Sequence, residues 1–454
     1  MQPEWPSNAI STGIAPWRGA EMLQDRDAMN PLLSIARNAG HLLGARATTQ
    51  AVRLVYVAAL ARGLGPELYG LLAYTQSWYL LFLPLVALGT RETLARDFGR
   101  DPELGANTAA RVLGLRLILL PFAAVACVTL GLVNEPNFQV RLLLVLMALA
   151  LIGRALAMWT ENVFVACAQA RFALHQAALF RPLEALLGCA VLMAGGGVLG
   201  VAAVHALSWG SQAAVGFWSV HRRLSPVRVI IDRNLPGLIR RGMAALLTIL
   251  ALVWFTRGPL ILLRQIGLDD RQLGQIALAL QLLELLAVAP AVLGQVALPA
   301  VSRAAANGKA FLNIVLPWWI AASLLTALGG FAFGGILLHW VFGDAYPVTG
   351  EMLGPLLLVS APLGTASLLS QVSLGIGRTW RVAGAAVVAT LVWIVVGLTA
   401  LPWLGPWTIC AALWPAACLW AGLLLAGAIR DDLVRPAAIL RVPRWTVTSD
   451  HTPS

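Results

Sequence analysis

Charged side chains are scarce: Asp, Glu, Lys and Arg make up 12% of the 454 residues, about half their share in a soluble domain. That excludes a soluble enzyme or a free-standing binding module. Lysine is nearly absent, Lys309 being the one exception among 32 basic residues. A GC-rich genome accounts for that bias as well as any mechanism does. Acidic residues number only 21, which leaves a net charge of +11. On a soluble chain this sign would suggest nucleic acid; here it reads as Arg-rich loops facing an anionic leaflet, and no nucleic-acid partner is expected. The five cysteines (Cys127, Cys167, Cys189, Cys410, Cys418) form no CxxC pair, and no His/Cys cluster has metal spacing. They read as small core residues, and no metal or other cofactor is expected. No P-loop GxxxxGK[ST] is present, so ATP is not the energy source of this chain. Residues 1–40 lack an apolar core behind a basic start, so no secretory signal is read there. They are expected to form a disordered polar tail, in which Met29 offers a second translation start.

What the chain has in excess is apolar residues, 59% of the total with a mean hydropathy of +0.77. They fall in blocks of about 20, the length a helix needs to cross a hydrocarbon core. An all-α polytopic membrane protein is predicted. Its twelve spans are 41–61, 68–89, 111–132, 140–160, 173–194, 197–219, 240–262, 272–298, 311–341, 350–376, 380–402 and 407–428. The ninth is overlong and is expected to break near Gly329-Gly330 or Gly334-Gly335. With the N-terminus cytoplasmic, nineteen Lys and Arg fall on the inner side against Arg62, Arg141, Arg264 and Arg271 outside, a strong positive-inside bias. Both termini are therefore expected in the cytoplasm. The outward loops are all short, which leaves no external catalytic domain.

The longest inward break, HRRLSPVRVIIDRNLPGLIRR at 221–241, divides the spans six and six. The expected organisation is a tail (1–40), an N-terminal six-helix lobe (41–220), a basic linker (221–239), a C-terminal lobe (240–428) and a second tail (429–454). LGPELYGLLA (64–73) opens the second span and LDDRQLGQIALA (268–279) the eighth, aligning Gly70 with Gly274 and Ala73 with Ala277. Six is even, so the halves form a parallel repeat. Pro66 suits a first helical turn, and Glu67, like Asp269 and Asp270, places negative charge at a helix N-terminus.

ARGLGPELYGLLAY (61–74), followed by LGTRETLARDFGRD (88–101), resembles the N-terminal signature of bacterial polysaccharide and O-antigen flippases, in the multidrug/oligosaccharidyl-lipid/polysaccharide (MOP) exporter superfamily. PLILLRQIGLDDRQLGQIALALQLLELLAVAPAVLGQVALPAVSRA (259–304) is similar to that family's seventh and eighth helices, and WVFGDAYPVTGEMLGPLLL (340–358) to its outer loop and tenth helix. The likeness covers roughly residues 35–430. It implies two six-helix lobes around a central cavity that opens alternately to each side. It also implies a cargo of oligosaccharide on a polyprenyl pyrophosphate, membrane lipids as surroundings, and glycan polymerase and chain-length machinery as partners. The family has no strict catalytic motif, so no functional residue is carried over from it.

Ionisable residues within spans are the candidates, since a central Arg costs roughly 2.5–3.5 kcal/mol on insertion scales and so faces a cavity or a partner. Arg46, Gln50 and Arg53 share one face of the first span. Arg154 and Arg181 lie in the inner halves of the fourth and fifth spans, and Arg257 and Arg264 on one face of the seventh. Pyrophosphate oxygens suit bidentate guanidinium recognition, so Arg46, Arg53, Arg154, Arg181 and Arg257 are read as the headgroup site. Gln50, Glu184, Gln281 and Glu284 are read as polar lining or ion-coupling groups. Bland readings stand beside these. Arg181 has Glu184 at i+3 as an ion-pair partner, and Glu284 is expected to pair with an Arg rather than carry a coupling ion. Arg116 and Arg264 are expected to snorkel to the two interfaces. Arg91 and Arg96 read as topology determinants, and His205 as a packing residue. Trp78, Trp159 and Trp254 are candidates for stacking on sugars.

The function expected is a flippase carrying the lipid-linked oligosaccharide across the bacterial inner membrane for O-antigen, capsule or exopolysaccharide assembly. Six intramembrane Arg against two Glu favour this over a cation-coupled multidrug exporter of the same superfamily. A membrane glycan polymerase or ligase would be expected to carry a large outer loop. Proton or sodium exchange, or flux pulled by downstream polymerisation, stays open as the driving force.

Overall fold

The computed structural model describes residues 31–435, apart from 134, 225 and 304. Of the tails expected at 1–40 and 429–454, residues 1–30, with the second start at Met29, and those beyond 435 lie outside these, while 31–40 are helical. The described residues form twelve α-helices, two single 3-10 turns (Gly343–Ala345 and Gly405–Trp407) and no strand. The first six are α1 (Pro31–Ala87), α2 (Thr90–Arg100), α3 (Pro102–Leu132), α4 (Phe138–Ala166), α5 (Ala170–Met193) and α6 (Gly197–Arg223). The second six are α7 (Leu235–Gln265), α8 (Asp270–Arg303), α9 (Ala305–Phe342), α10 (Pro347–Gly375), α11 (Thr379–Leu404) and α12 (Thr408–Arg430).

Eleven stretches are long and apolar enough to cross a membrane, and the first, Gly44–Ala87, contains two crossings. It breaks at Gly65 (φ 70°, ψ 171°), a conformation essentially closed to residues with a Cβ, and Pro66 starts the second limb. The chain reverses there. Tyr56 and Tyr79 would stand about 34 Å apart on a straight helix, yet Tyr56 packs on Gly188 of α5 while Tyr79 reaches His205 of α6. The helix itself begins at Pro31, ahead of the expected limit at 41.

α1 packs on α3, α4 and α5, with α4 and α5 both on α6, which closes one lobe. In the other, α10 lies against α8, α9 and α12, and α11 against α7 and α12. α1 bridges the two, packing on both α7 and α8. The repeat proposed from sequence acquires a physical role at this seam. A Cβ on Gly70 would lie 2.7 Å from the Gly274 nitrogen, and one on Gly274 would overlap the Pro66 carbonyl, so the paired glycines bring two backbones into contact at the Gly65 end. There Tyr346 also donates to the Ala61 carbonyl at 2.9 Å. At the opposite end Gly242 of α7 abuts the Leu88 carbonyl, and Arg241 approaches Asp97 at 3.5 Å.

Three expectations change. The ninth span does not break: α9 runs continuously through both glycine pairs, because Gly330 and Gly334 pack closely against α10. The basic loop after Gly89 contains an 11-residue amphipathic helix, α2. The linker is shorter than 221–239, since α6 continues to Arg223 and α7 opens at Leu235. It is also tied down, with Ile230 N–H donating to the Ala110 carbonyl and Arg111 Nε to Asp232 at 2.7 Å. Desolvation raises the Asp232 pKa, but the hydrogen bonds from Arg111 and Asn234 together outweigh it and hold the carboxyl below its ordinary range. Apolar side chains such as Phe122, Leu186, Phe333 and Trp403 face outward, as hydrocarbon permits and water does not.

Candidate functional site

Three charged clusters lie where the helices converge. The first joins the lobes. Glu284 of α8 accepts, on a single oxygen, from Arg53 Nη2 of α1 and Arg257 Nη2 of α7, each at 2.5 Å. Arg257 also donates to Gln281 Oε1 at 3.2 Å. Arg257 is buried, whereas the Arg53 side chain is 32% exposed. The Arg257 Nε, also buried, has no hydrogen-bond partner among the described residues. One carboxylate therefore serves two guanidinium groups, and spare donors remain.

The second cluster lies within the first lobe. Glu184 accepts from Arg181 at 2.6 Å and from Ser208 at 3.0 Å, and its other oxygen meets His205 Nδ1 at 2.6 Å. Arg181 reaches on to Gln212. The far side of the His205 ring meets the Tyr79 hydroxyl, which accepts from Arg154 Nη1 at 2.8 Å. Arg154 and Arg181 both lie over the Trp209 ring, at 4.9 and 3.9 Å from its centroid. Arg154 has no carboxylate partner among the described residues; a phenol and an indole face hold its charge. In the third cluster Arg46 pairs with Glu161 of α4 at 2.7 Å, both partly exposed. Gln50 sits between Arg46 and Arg53 on α1, with its Oε1 unpartnered among the described residues.

All five candidate arginines thus belong to these clusters, together with Glu184, Gln281 and Glu284; Gln50 lies beside them on α1 with its Oε1 unengaged among the described residues. The structure adds Glu161, Tyr79, Ser208, Trp209 and Gln212. A signal for Glu161 existed, since it follows Arg154 by seven residues on the same helix face. Nothing in the sequence distinguishes Tyr79 or Trp209, the latter one of 17 tryptophans. The acids are correspondingly more numerous than the sequence count of two. Five guanidinium groups face three carboxylates, Glu161, Glu184 and Glu284, a surplus of two positive charges from the arginines and glutamates alone.

Two arginines do not snorkel as expected. Arg264 is enclosed by Glu135 and Asp270. Arg116 is 1% exposed, donating from Nη1 to the Ala155 carbonyl at 2.6 Å, while its Nε and Nη2 have no partner among the described residues. The cause is helix length: α3 starts at Pro102 instead of 111, so Arg116 lies about 21 Å along the helix, beyond side-chain reach of its end. A buried, half-satisfied guanidinium contributes little stability. Arg116→Met is expected to leave the thermal midpoint unchanged or raised, with the amount of protein in the membrane intact, and a melting curve with a blot of the membrane fraction checks both. Among the tryptophans flagged for sugar stacking, Trp159 is sealed against Phe217 with its N–H on the Ala109 carbonyl. Trp78 is buried edge-on to Tyr74, and Trp254 packs on Trp393.

A family described as polysaccharide biosynthesis protein matches residues 35–305. Among solved structures, the lipid II flippase MurJ in its inward closed conformation is similar with a TM-score of 0.69 at 14% identity, over 88% of this chain and 89% of that one. The MATE multidrug transporter DinF-BH gives 0.69 at 14% identity, over 90% and 96% of the two chains. The eukaryotic MATE transporter AtDTX14 gives 0.65 at 16%, over 91% and 99%. At these identities the likeness is one of fold. No curated protein sequence matches.

Proposed function

This chain belongs to the polysaccharide biosynthesis protein family, and from that membership we propose that it is a flippase for lipid-linked oligosaccharide. It carries a glycan on a polyprenyl diphosphate from the cytoplasmic to the periplasmic leaflet of the bacterial inner membrane. The product feeds O-antigen, capsule or exopolysaccharide assembly, and both termini lie in the cytoplasm. It acts by alternating access of the two lobes and is a carrier, not an enzyme.

The observation that carries this reading is the shared carboxylate at the lobe junction. Arg53 and Arg257 converge from different lobes on one oxygen of Glu284, and the clusters retain a surplus of two positive charges. A diphosphate offers more acceptor oxygens and more charge than one carboxylate, so it can take Arg53, Arg257 and the spare Nε together. Arg46, two turns along α1, extends the same face. A cationic drug finds the opposite situation, since Glu161, Glu184 and Glu284 are each occupied by a guanidinium group. It would have to separate an ion pair in a low dielectric before binding, a costly step. The cation-coupled exporter is therefore the second reading, favoured only by the likeness to multidrug transporters.

Deleting the gene tests the proposal. Surface glycan should fall, and the lipid-linked precursor should accumulate in the cytoplasmic leaflet. Accumulation of unpolymerised units in the periplasmic leaflet would assign the chain to polymerisation instead.

A further inference from the structure

A cavity of about 630 Å³ opens at the Gly65 end, some two helical turns along α7 from Arg257, a size within the usual range of small-molecule sites. It lies on the seam, with Tyr74 and Glu135 contributed by one lobe and Arg264 and Asp270 by the other. These four form a rigid frame. Glu135 is 6% exposed and takes Arg264 Nε at 2.9 Å and Nη2 at 3.2 Å; Arg264 also pairs with Asp270 and lies over the Tyr74 ring.

Around that frame stand polar groups of both kinds that are not engaged. The Glu67 carboxylate, the Asn137 amide N–H₂ and the Gln265 carbonyl oxygen line the cavity and have no hydrogen-bond partner among the described residues. A mixed set of free donors and acceptors suits hydroxyl groups, each of which donates and accepts at once. Anions are disfavoured, because Glu67, Glu135, Asp269 and Asp270 outnumber Arg264 and Arg271, a surplus of two negative charges. The sign is opposite to that of the mid-membrane clusters.

We propose that this cavity is a saccharide site, taking an uncharged, hydroxyl-rich part of a glycan and rejecting its diphosphate. The inference rests on the reading of the chain as a lipid-linked glycan carrier and divides the cargo by chemistry. Headgroup goes to the arginines at the lobe junction, sugars to the seam at the Gly65 end. Because both lobes line the cavity, a sugar seated here bridges them and favours the state in which this end is joined.

The test uses the full chain in nanodiscs, titrated calorimetrically with two probes. One is the oligosaccharide pool released by mild acid from the cell's own lipid-linked precursor, which lacks the diphosphate; the other is inorganic pyrophosphate. The double variant Glu67→Ala, Gln265→Ala alters two side chains at the cavity rim, so the fold is retained. It should weaken saccharide binding by about ten-fold or more, as loss of two hydrogen-bonding groups implies, and leave pyrophosphate binding unchanged. Arg53→Ala should do the reverse. Absence of saccharide binding, or binding equal in wild type and the double variant, overturns the site while pyrophosphate binding keeps the flippase reading alive. Loss of saccharide binding in Arg53→Ala alone moves the sugars to the junction and overturns it too.

Discussion

Replacing Arg53 with alanine is expected to abolish glycan export in a complementation assay without lowering the amount of protein in the membrane. The side chain is a third exposed, and its removal leaves Glu284 still paired with Arg257, so no buried charge is stranded and folding is spared. What is lost is the junction donor of the first lobe. A charge-assisted hydrogen bond is worth roughly 1.5–3 kcal/mol, so pyrophosphate affinity should drop by about 10- to 100-fold. Glu284→Gln supplies the matching experiment with the opposite sign. The carboxylate now occupying Arg53 and Arg257 is the anion that a diphosphate must displace, and neutralising it removes the competitor. Pyrophosphate should therefore bind more tightly to Glu284→Gln than to wild type, with a steeper dependence on salt. Weaker binding in this variant would mean that Glu284 orients the arginines for cargo or holds a coupling ion, and the exchange of one anion for another would be abandoned.

The second large effect is expected from one methyl group at the Gly65 end. Gly274→Ala should raise the intrinsic helical stability of α8 by about 1 kcal/mol, so any damage must come from the crossing with α1. There the new Cβ overlaps the Pro66 carbonyl, and two packed backbones cannot yield without parting. The joined state at this end should be depopulated and export should fall at least about ten-fold, corresponding to about 1.4 kcal/mol of bias. In a cysteine-free background, Ala277→Cys, 1% exposed in the joined arrangement, should become open to a maleimide once Gly274→Ala is added. Gly70→Ala meets the same contact from the other lobe, so the two substitutions should be far less than additive. Full additivity with unchanged labelling would show the glycines to be incidental to the lobe movement.

Much of this architecture is legible in the sequence, for reasons that differ from feature to feature. Twelve apolar blocks, the reversal at Gly65-Pro66 and the motif that opens the second span and again the eighth each depend on residues close together in the chain. Hydrocarbon thickness and backbone sterics act on them locally. Burial of guanidinium groups is legible too, because a charge inside a 20-residue apolar block has nowhere else to go. Where local rules failed, packing overrode them: α9 stays whole through its glycines because α10 lies against them, and Arg116 is sealed because α3 is longer than its apolar block.

What the sequence by itself determined is which arginines lie inside apolar spans and the number of spans that carry them. Only the tertiary structure decided the partnerships. Arg53 meets a carboxylate 231 residues away and Arg46 one 115 residues away, and Arg154 settles on a phenol and an indole instead of an acid. Electrostatic and hydrogen-bonding energies fall off over a few ångströms. Which groups come that close is set by how twelve helices pack, and no spacing along one chain encodes it.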